Sequence, residues 1–198
     1  DSLELISHRG PDETGLQSGR DFALGMTRLA VIDADGGHQP MTSQNGRILL
    51  TFNGEIYNYK DLRRHVTRAG GALRSNSDTE VLCELFSMLG PECLPLLRGM
   101  FAFAAFDSQT RQLWLARDRV GKKPLYYASP RSGEVIFGSE LKALGPMFRS
   151  LGREPRIRSQ SIYDYLSFGS VPQPDTIFEG VHAVPPGHVM CFADNTTT

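Results

Sequence analysis

Cysteine is scarce: the chain has only Cys83, Cys93 and Cys191, and no two of them form a CxxC pair. That odd, dispersed set excludes a disulfide framework and fits a reducing compartment such as the cytoplasm. Charge of one sign is lacking too. Twenty-one Lys and Arg against 22 Asp and Glu leave a net charge of -1, so no long-range field draws the chain to nucleic acid or to an anionic membrane. Apolar runs such as Met100 to Phe106 stay well short of the roughly 20 residues that cross a bilayer. The five histidines are scattered, without HExxH or Cys-His ligand spacing, which leaves no metal site. No GxSxG elbow, Walker-type loop or SGGxDS-type pyrophosphate loop occurs, so no cofactor is expected in this chain. The opening residues, Asp1 to Ile6, lack the basic start of a signal peptide. There is no internal repeat, low-complexity block or heptad pattern.

What is present is enough for one packed domain: 198 residues with 40% hydrophobic content can bury a real core. Runs rich in β-branched and aromatic residues predict strands at Phe22 to Met26, Ile48 to Phe52, Met100 to Phe106, Gln112 to Ala116, Leu125 to Ala128 and Val135 to Phe137. MFAFAAFD is apolar at nearly every position, which predicts layers on both faces of its sheet. Helical spacing marks Thr79 to Leu89, with Val81, Leu82, Leu85, Phe86 and Leu89 on one face and Ser77 with Glu80 as a capping box. A second amphipathic helix is expected over Tyr59 to Arg68, capped by Asn58 and stopped by Gly70-Gly71.

Strands with a helical pair between them make an α+β domain of stacked layers. After Leu144 the texture changes. Gly145 to Arg158 reads as a connector, followed by a short helix near Ser159 to Ser167 and a Pro-rich segment through VPQPDTIFEGVHAVPPG. The expected division is therefore a domain over 1–150 and a linker over 151–198 leading toward a further domain.

The segment TFNGEIYN, Thr51 to Asn58, carries an Asn-Gly pair at the end of an apolar strand. On its own, Asn53-Gly54 is a tight turn or a pair of donors able to converge on one oxyanion. Asp78 is a helix cap beside Ser77 or a ligand-binding acid. Arg28 and Glu55 are solvated charges at strand ends or the two signs that a zwitterion needs. HRGPD (His8 to Asp12), RLAVID (Arg28 to Asp33), NGEIYNY, SDTEV (Ser77 to Val81) and RDRVGKKPLYY (Arg117 to Tyr127) occur in that order. His8 and Arg9 are expected to anchor a loop, and RDRVGKKPLYY to form a hairpin turning at Gly121.

As an ordered set, these motifs resemble the class II glutamine amidotransferase domain of asparagine synthetases, from His8 to about Phe192. The resemblance implies a four-layer αββα sandwich of the N-terminal-nucleophile hydrolase type and a thiolate nucleophile at the mature amino terminus. It further implies an oxyanion hole from the Asn53 side chain and the Gly54 N–H. Glutamine would be held by Arg28 at its α-carboxylate and by Glu55 and Asp78 at its α-ammonium, with the backbone of Leu29 and Val31 beside it. It implies ATP and Mg in a synthetase domain outside this chain, that domain as partner, and a possible homodimer. The first strand and its cysteine are expected ahead of HRGPD and are missing from these residues, and none of the three cysteines takes that place. Two readings stay open beside hydrolysis: a cysteine-less scaffold or glutamine-binding module, and an amidotransferase serving another acceptor.

Overall fold

A computed structural model of the chain describes residues 1–193 and the short strand Thr196–Thr197. The elements run α1 (Ser2–Leu5), a 3-10 turn (Ser7–Arg9), β1 (Glu13–Ser18), β2 (Ala23–Arg28), β3 (Met41–Thr42), β4 (Ile48–Ile56), α2 (Tyr59–Arg68), α3 (Asp78–Leu89) and a second 3-10 stretch (Gly90–Leu96). They continue with β5 (Gly99–Asp107), β6 (Gln112–Arg117), β7 (Tyr126–Ala128), β8 (Ile136–Gly138), α4 (Leu141–Ser150), α5 (Ser159–Phe168), β9 (Val181–Ala183), β10 (Val189–Ala193) and β11 (Thr196–Thr197). A six-stranded antiparallel sheet has the order β11-β10-β6-β5-β4-β3, and β1-β2 and β8-β7-β9 form two smaller sheets. Helices α2 and α3 cover the large sheet, while α1 and α4 lie over β2 and β8. The layers are helix, sheet, sheet, helix.

Period-two alternation in β5 explains why two sheets stack on one strand. Phe101, Phe103 and Ala105 face the core under α2 and α3, with Leu50, Val66, Val81, Leu82 and Leu85. Ala102 and Ala104 face the opposite way, toward Leu125 and Val184 of the second layer, in a cluster that Phe192 of β10 joins from the large sheet. Successive side chains of a strand point to opposite faces, so an all-apolar strand needs cover on both. Each fully buried Leu or Val contributes about 1.5–3 kcal/mol. A third cluster, Ala128, Ile136, Leu144, Phe148 and Val181, seats α4 on the β8-β7-β9 sheet.

Several local readings change. Gly145 to Ser150 is the second half of helix α4 and not a connector; Leu144 and Phe148 are buried on it, and that burial outweighs the poor propensity of Gly145 and Pro146. Within the 151–198 segment, read as a linker, two strands join the sheets: β9 pairs with β7 and β10 with β6. RDRVGKKPLYY is not a hairpin, because β6 pairs in the large sheet and β7 in another; only the turn at Gly121, with φ of 66°, is as expected. Helix α3 is buried all round from Asp78 to Phe86, and not amphipathic. Its cap differs from a capping box. Ser77 Oγ accepts from Thr79 N–H at 3.0 Å, but Glu80 reaches past Ser77 to the N–H groups of Arg74 and Ser75. Asn58 sits at the N-cap of α2 without capping it, since its amide bonds Leu96 O and Arg98 N–H.

Candidate functional site

Apart from a bridge between Arg28 and Pro11, strand β2 pairs only with β1, and β8 pairs only with β7, so among the described residues each has a largely unpaired edge. Both strands line one cavity of about 530 Å³, through Gly25 to Arg28 and through Phe137 and Gly138. Strands β4 and β5 line it through Thr51 to Glu55 and through Met100, Ala102, Phe103 and Ala104, and α1 and α4 line it with Leu3, Ala143 and Met147. Arg28, Leu29, Val31, Asn53, Gly54, Glu55 and Asp78 all line this cavity. The seven come from β2 and the loop after it, from β4 and from the start of α3.

Asn53-Gly54 is not a turn; both residues lie inside β4, opposite Ala102 and Phe101. Glycine at 54 is required by close approach. A Cβ there would stand 2.1 Å from Met100 O and 2.7 Å from Phe101 Cα, at a φ of 155°. Glu55 follows on the same strand. Asp78, only 5% exposed, occupies the first turn of α3 and accepts the Ile56 N–H at 3.0 Å through Oδ2. Burial pushes its carboxyl above the usual range; the N–H groups of Ile56, Thr79 and Asp78 itself oppose this, and the charge of Glu55 adds to it. Helix α3 also points its positive end here, and that end favours anions.

Arg28 ends β2, buried, with its two terminal nitrogens engaged. Nη1 donates to Ala34 O at 2.8 Å and to Glu13 Oε2 at 3.2 Å, and Nη2 donates to Asp33 O at 2.7 Å and Ile32 O at 3.4 Å. It therefore pins the loop that carries Leu29 and Val31, both exposed to the cavity mouth. Burial raises the Glu13 carboxyl, but hydrogen bonds from His38 and Arg28 outweigh it and leave the group below its ordinary value. His8 and Arg9 anchor a loop, as expected: both bond Glu140 Oε1, at 3.0 and 3.2 Å.

The sequence did not signal other residues of this wall. Gln39 is buried and lines the cavity, bonding the Phe52 N–H and the Thr79 hydroxyl. Asp118 gathers the N–H groups of Phe101, Val120, Lys122 and Lys123, and Arg117 donates to the carbonyls of Gly121, Lys123 and Val184. Together they knot the crossing from β6 to β7, which places Lys123, Pro124 and Leu125 on the cavity wall. RDxxGxxPL was visible as a motif. Its place at the cavity was not.

No cluster of three or more His, Cys, Asp or Glu side chains among the described residues could hold a metal ion. Among the described residues no helix is long and apolar enough to cross a membrane. The cysteines are buried. Burial pushes up the thiols of Cys83 and Cys191, and that of Cys93 to about 12.

A family model described as "Glutamine amidotransferase domain" matches residues 1–198. Asparagine synthetase [glutamine-hydrolyzing] 1 of Bacillus subtilis (strain 168) is 37% identical over 184 residues, covering 93% of this chain and 28% of that protein. A putative asparagine synthetase [glutamine-hydrolyzing] of Mycobacterium tuberculosis (strain ATCC 25618 / H37Rv) is 38% identical, covering 96% and 30%. Asparagine synthetase B of Escherichia coli (strain K12) is 38% identical, covering 76% and 27%. The chain thus spans about three tenths of the length of these curated relatives. In fold it is similar to the glutamine phosphoribosylpyrophosphate amidotransferase of B. subtilis solved with ADP and GMP, at TM-score 0.59 and 22% identity, covering 89% of this chain and 34% of that one. The α+β layers thus have a solved counterpart, and the chain belongs to the glutamine amidotransferase domain family.

Proposed function

We propose that the cavity receives L-glutamine and that this domain serves an asparagine synthetase, releasing ammonia for ATP-dependent amidation of aspartate in a partner domain that holds ATP and Mg. The observation that carries the reading is the convergence of Arg28, Asn53, Gly54, Glu55 and Asp78 on one cavity. In this reading the ammonium lies against Glu55 and Asp78, and the side-chain carbonyl faces the Asn53 amide and the Gly54 N–H. The α-carboxylate takes the place of Glu13 on Arg28 Nη1, where a carboxylate already stands at 3.2 Å. A planar guanidinium suits such an exchange, because its donors are fixed in a fork.

The hydrolysis needs a thiolate. It attacks the amide carbon, the amide nitrogen leaves as ammonia after taking a proton, and water cleaves the thioester to glutamate and free thiol. The oxyanion formed in each step lies on Asn53 and Gly54, where losing one donor typically costs about a hundred- to a thousandfold in rate. Cys83, Cys93 and Cys191 are buried and poorly ionised, so none serves. The reading therefore requires a nucleophilic cysteine other than these three, and it holds the 198 residues without one to be inactive.

Calorimetry of the 198-residue chain with L-glutamine tests the pocket, with L-glutamate and D-glutamine as comparisons. Selective heat for L-glutamine is expected, and equal or absent heat for all three rejects the site. Extending the chain to a free amino-terminal cysteine is expected to yield glutamate and ammonia. No release from a folded, extended protein rejects the hydrolytic reading.

A further inference from the structure

We infer that Gln39 is a positioning residue that sets the Gly54 N–H at the cavity. This deepens the glutamine-site reading and rests on it. Along its whole length β4 pairs with β5 on one edge, but its other edge pairs with β3 only at Leu50 and Leu49. Backbone groups of an antiparallel strand alternate between edges with a period of two. The Phe52 N–H points away from β5, to Gln39 Oε1 at 2.7 Å, and the Ile56 N–H does the same, to Asp78 Oδ2 at 3.0 Å. By the same alternation the Gly54 N–H, midway between them, falls on that edge, and Gly54 lines the cavity.

Two side chains thus replace a missing strand, one on each side of the donor. Buried backbone N–H groups are almost always paired, so without Gln39 the Phe52 N–H would have to turn toward another acceptor and carry Asn53 and Gly54 with it. Gln39 is 6% exposed, and its Nε2 donates to Thr79 Oγ1 at 3.3 Å. The same carboxamide therefore ties β4 to the first turn of α3, next to Asp78. Its carbonyl holds the oxyanion segment and its NH2 holds the ammonium segment. The register between the two halves of the site passes through this one side chain.

Two variants and a control test the role in the 198-residue chain. Gln39→Leu removes both bonds at similar volume, and Gln39→Glu keeps an acceptor for Phe52. Val66→Ala weakens the core beneath α2, away from the cavity. Glutamine affinity is expected to fall at least tenfold in Gln39→Leu, to stay within about threefold of the parent in Gln39→Glu, and not to change in Val66→Ala, with melting followed for all. Amide exchange at Phe52 and Gly54 is expected to speed up at least tenfold in Gln39→Leu only. Unchanged affinity in Gln39→Leu, or an equal loss in Val66→Ala, overturns the inference. If the parent chain binds no glutamine, the pocket reading fails, and amide exchange alone decides: unchanged exchange at Phe52 and Gly54 overturns the positioning role as well.

Discussion

Asp78 accepts the Ile56 N–H through Oδ2 at 3.0 Å, so a single carboxylate closes the open edge of β4 and presents its charge to the cavity. Its two tasks pull against each other. The backbone bond suits the ionised form, while burial and the nearby charge of Glu55 disfavour it.

Asp78→Asn separates the tasks. The folded state holds the Asp78 proton more tightly than the unfolded chain does, so this group favours folding below its unfolded value, about 3.9, and that contribution is lost as pH rises through the folded value. At pH 7 the ionised carboxylate costs stability. An asparagine keeps the acceptor for Ile56 and removes the charge. The variant is expected to melt no lower than the parent at pH 7, yet to bind glutamine roughly tenfold to a hundredfold more weakly, the loss of one hydrogen bond to a charged group. Melting curves and calorimetry read the two effects; a lowered melting point with intact affinity contradicts the argument.

How far the sequence could be read follows from which forces act locally. Asn53, Gly54, Glu55 and Asp78 were legible because strand β4 and the start of α3 are short-range features, and the family pattern joined them. Helix α4 was not, because Gly145 and Pro146 speak against a helix while Leu144 and Phe148 gain burial only once β8 is beneath them. Gln39 was invisible for a similar reason. Its partners lie 13 and 40 residues away, and a lone glutamine before a proline carries no periodic signal. Asp118 belongs to a motif, but three of its four N–H partners, Val120, Lys122 and Lys123, lie in a loop between two sheets and the fourth, Phe101, on β5, which the hairpin reading could not anticipate.

Gly54→Ala tests whether the donor segment tolerates any side chain. The added Cβ would meet Met100 O at 2.1 Å and Phe101 Cα at 2.7 Å, and both belong to the backbone of β5, so the central strands would have to part. Gly46→Ala is the comparison: it has positive φ as well, 72°, but nothing within 4 Å, so it isolates the conformational cost of roughly 1–2 kcal/mol. Chemical denaturation is expected to show a loss of at least about 3 kcal/mol for Gly54→Ala and clearly less for Gly46→Ala. Similar losses would mean that backbone conformation, not crowding, demands glycine.

Asp118→Asn tests the knot that brings Lys123 to Leu125 to the cavity wall. Burial raises the Asp118 carboxyl, but the N–H groups of Lys122, Lys123, Phe101 and Val120 more than offset it, and the folded value lies below the ordinary one. Such a group gives stability that is fully present above the unfolded value, about 3.9, and lost as pH falls through the folded value. An amide has one acceptor oxygen where the carboxylate has two, and its NH2 would face donors. At pH 7 the variant is expected to be less stable by about 2 kcal/mol, with the gap to the parent narrowing as pH falls below about 4. Glutamine affinity is expected to fall with it, since the loop end forms the wall of the cavity. A gap that stays constant from pH 7 to pH 3 would assign the loss to shape alone and remove the carboxylate's charge from the account of how this wall is held.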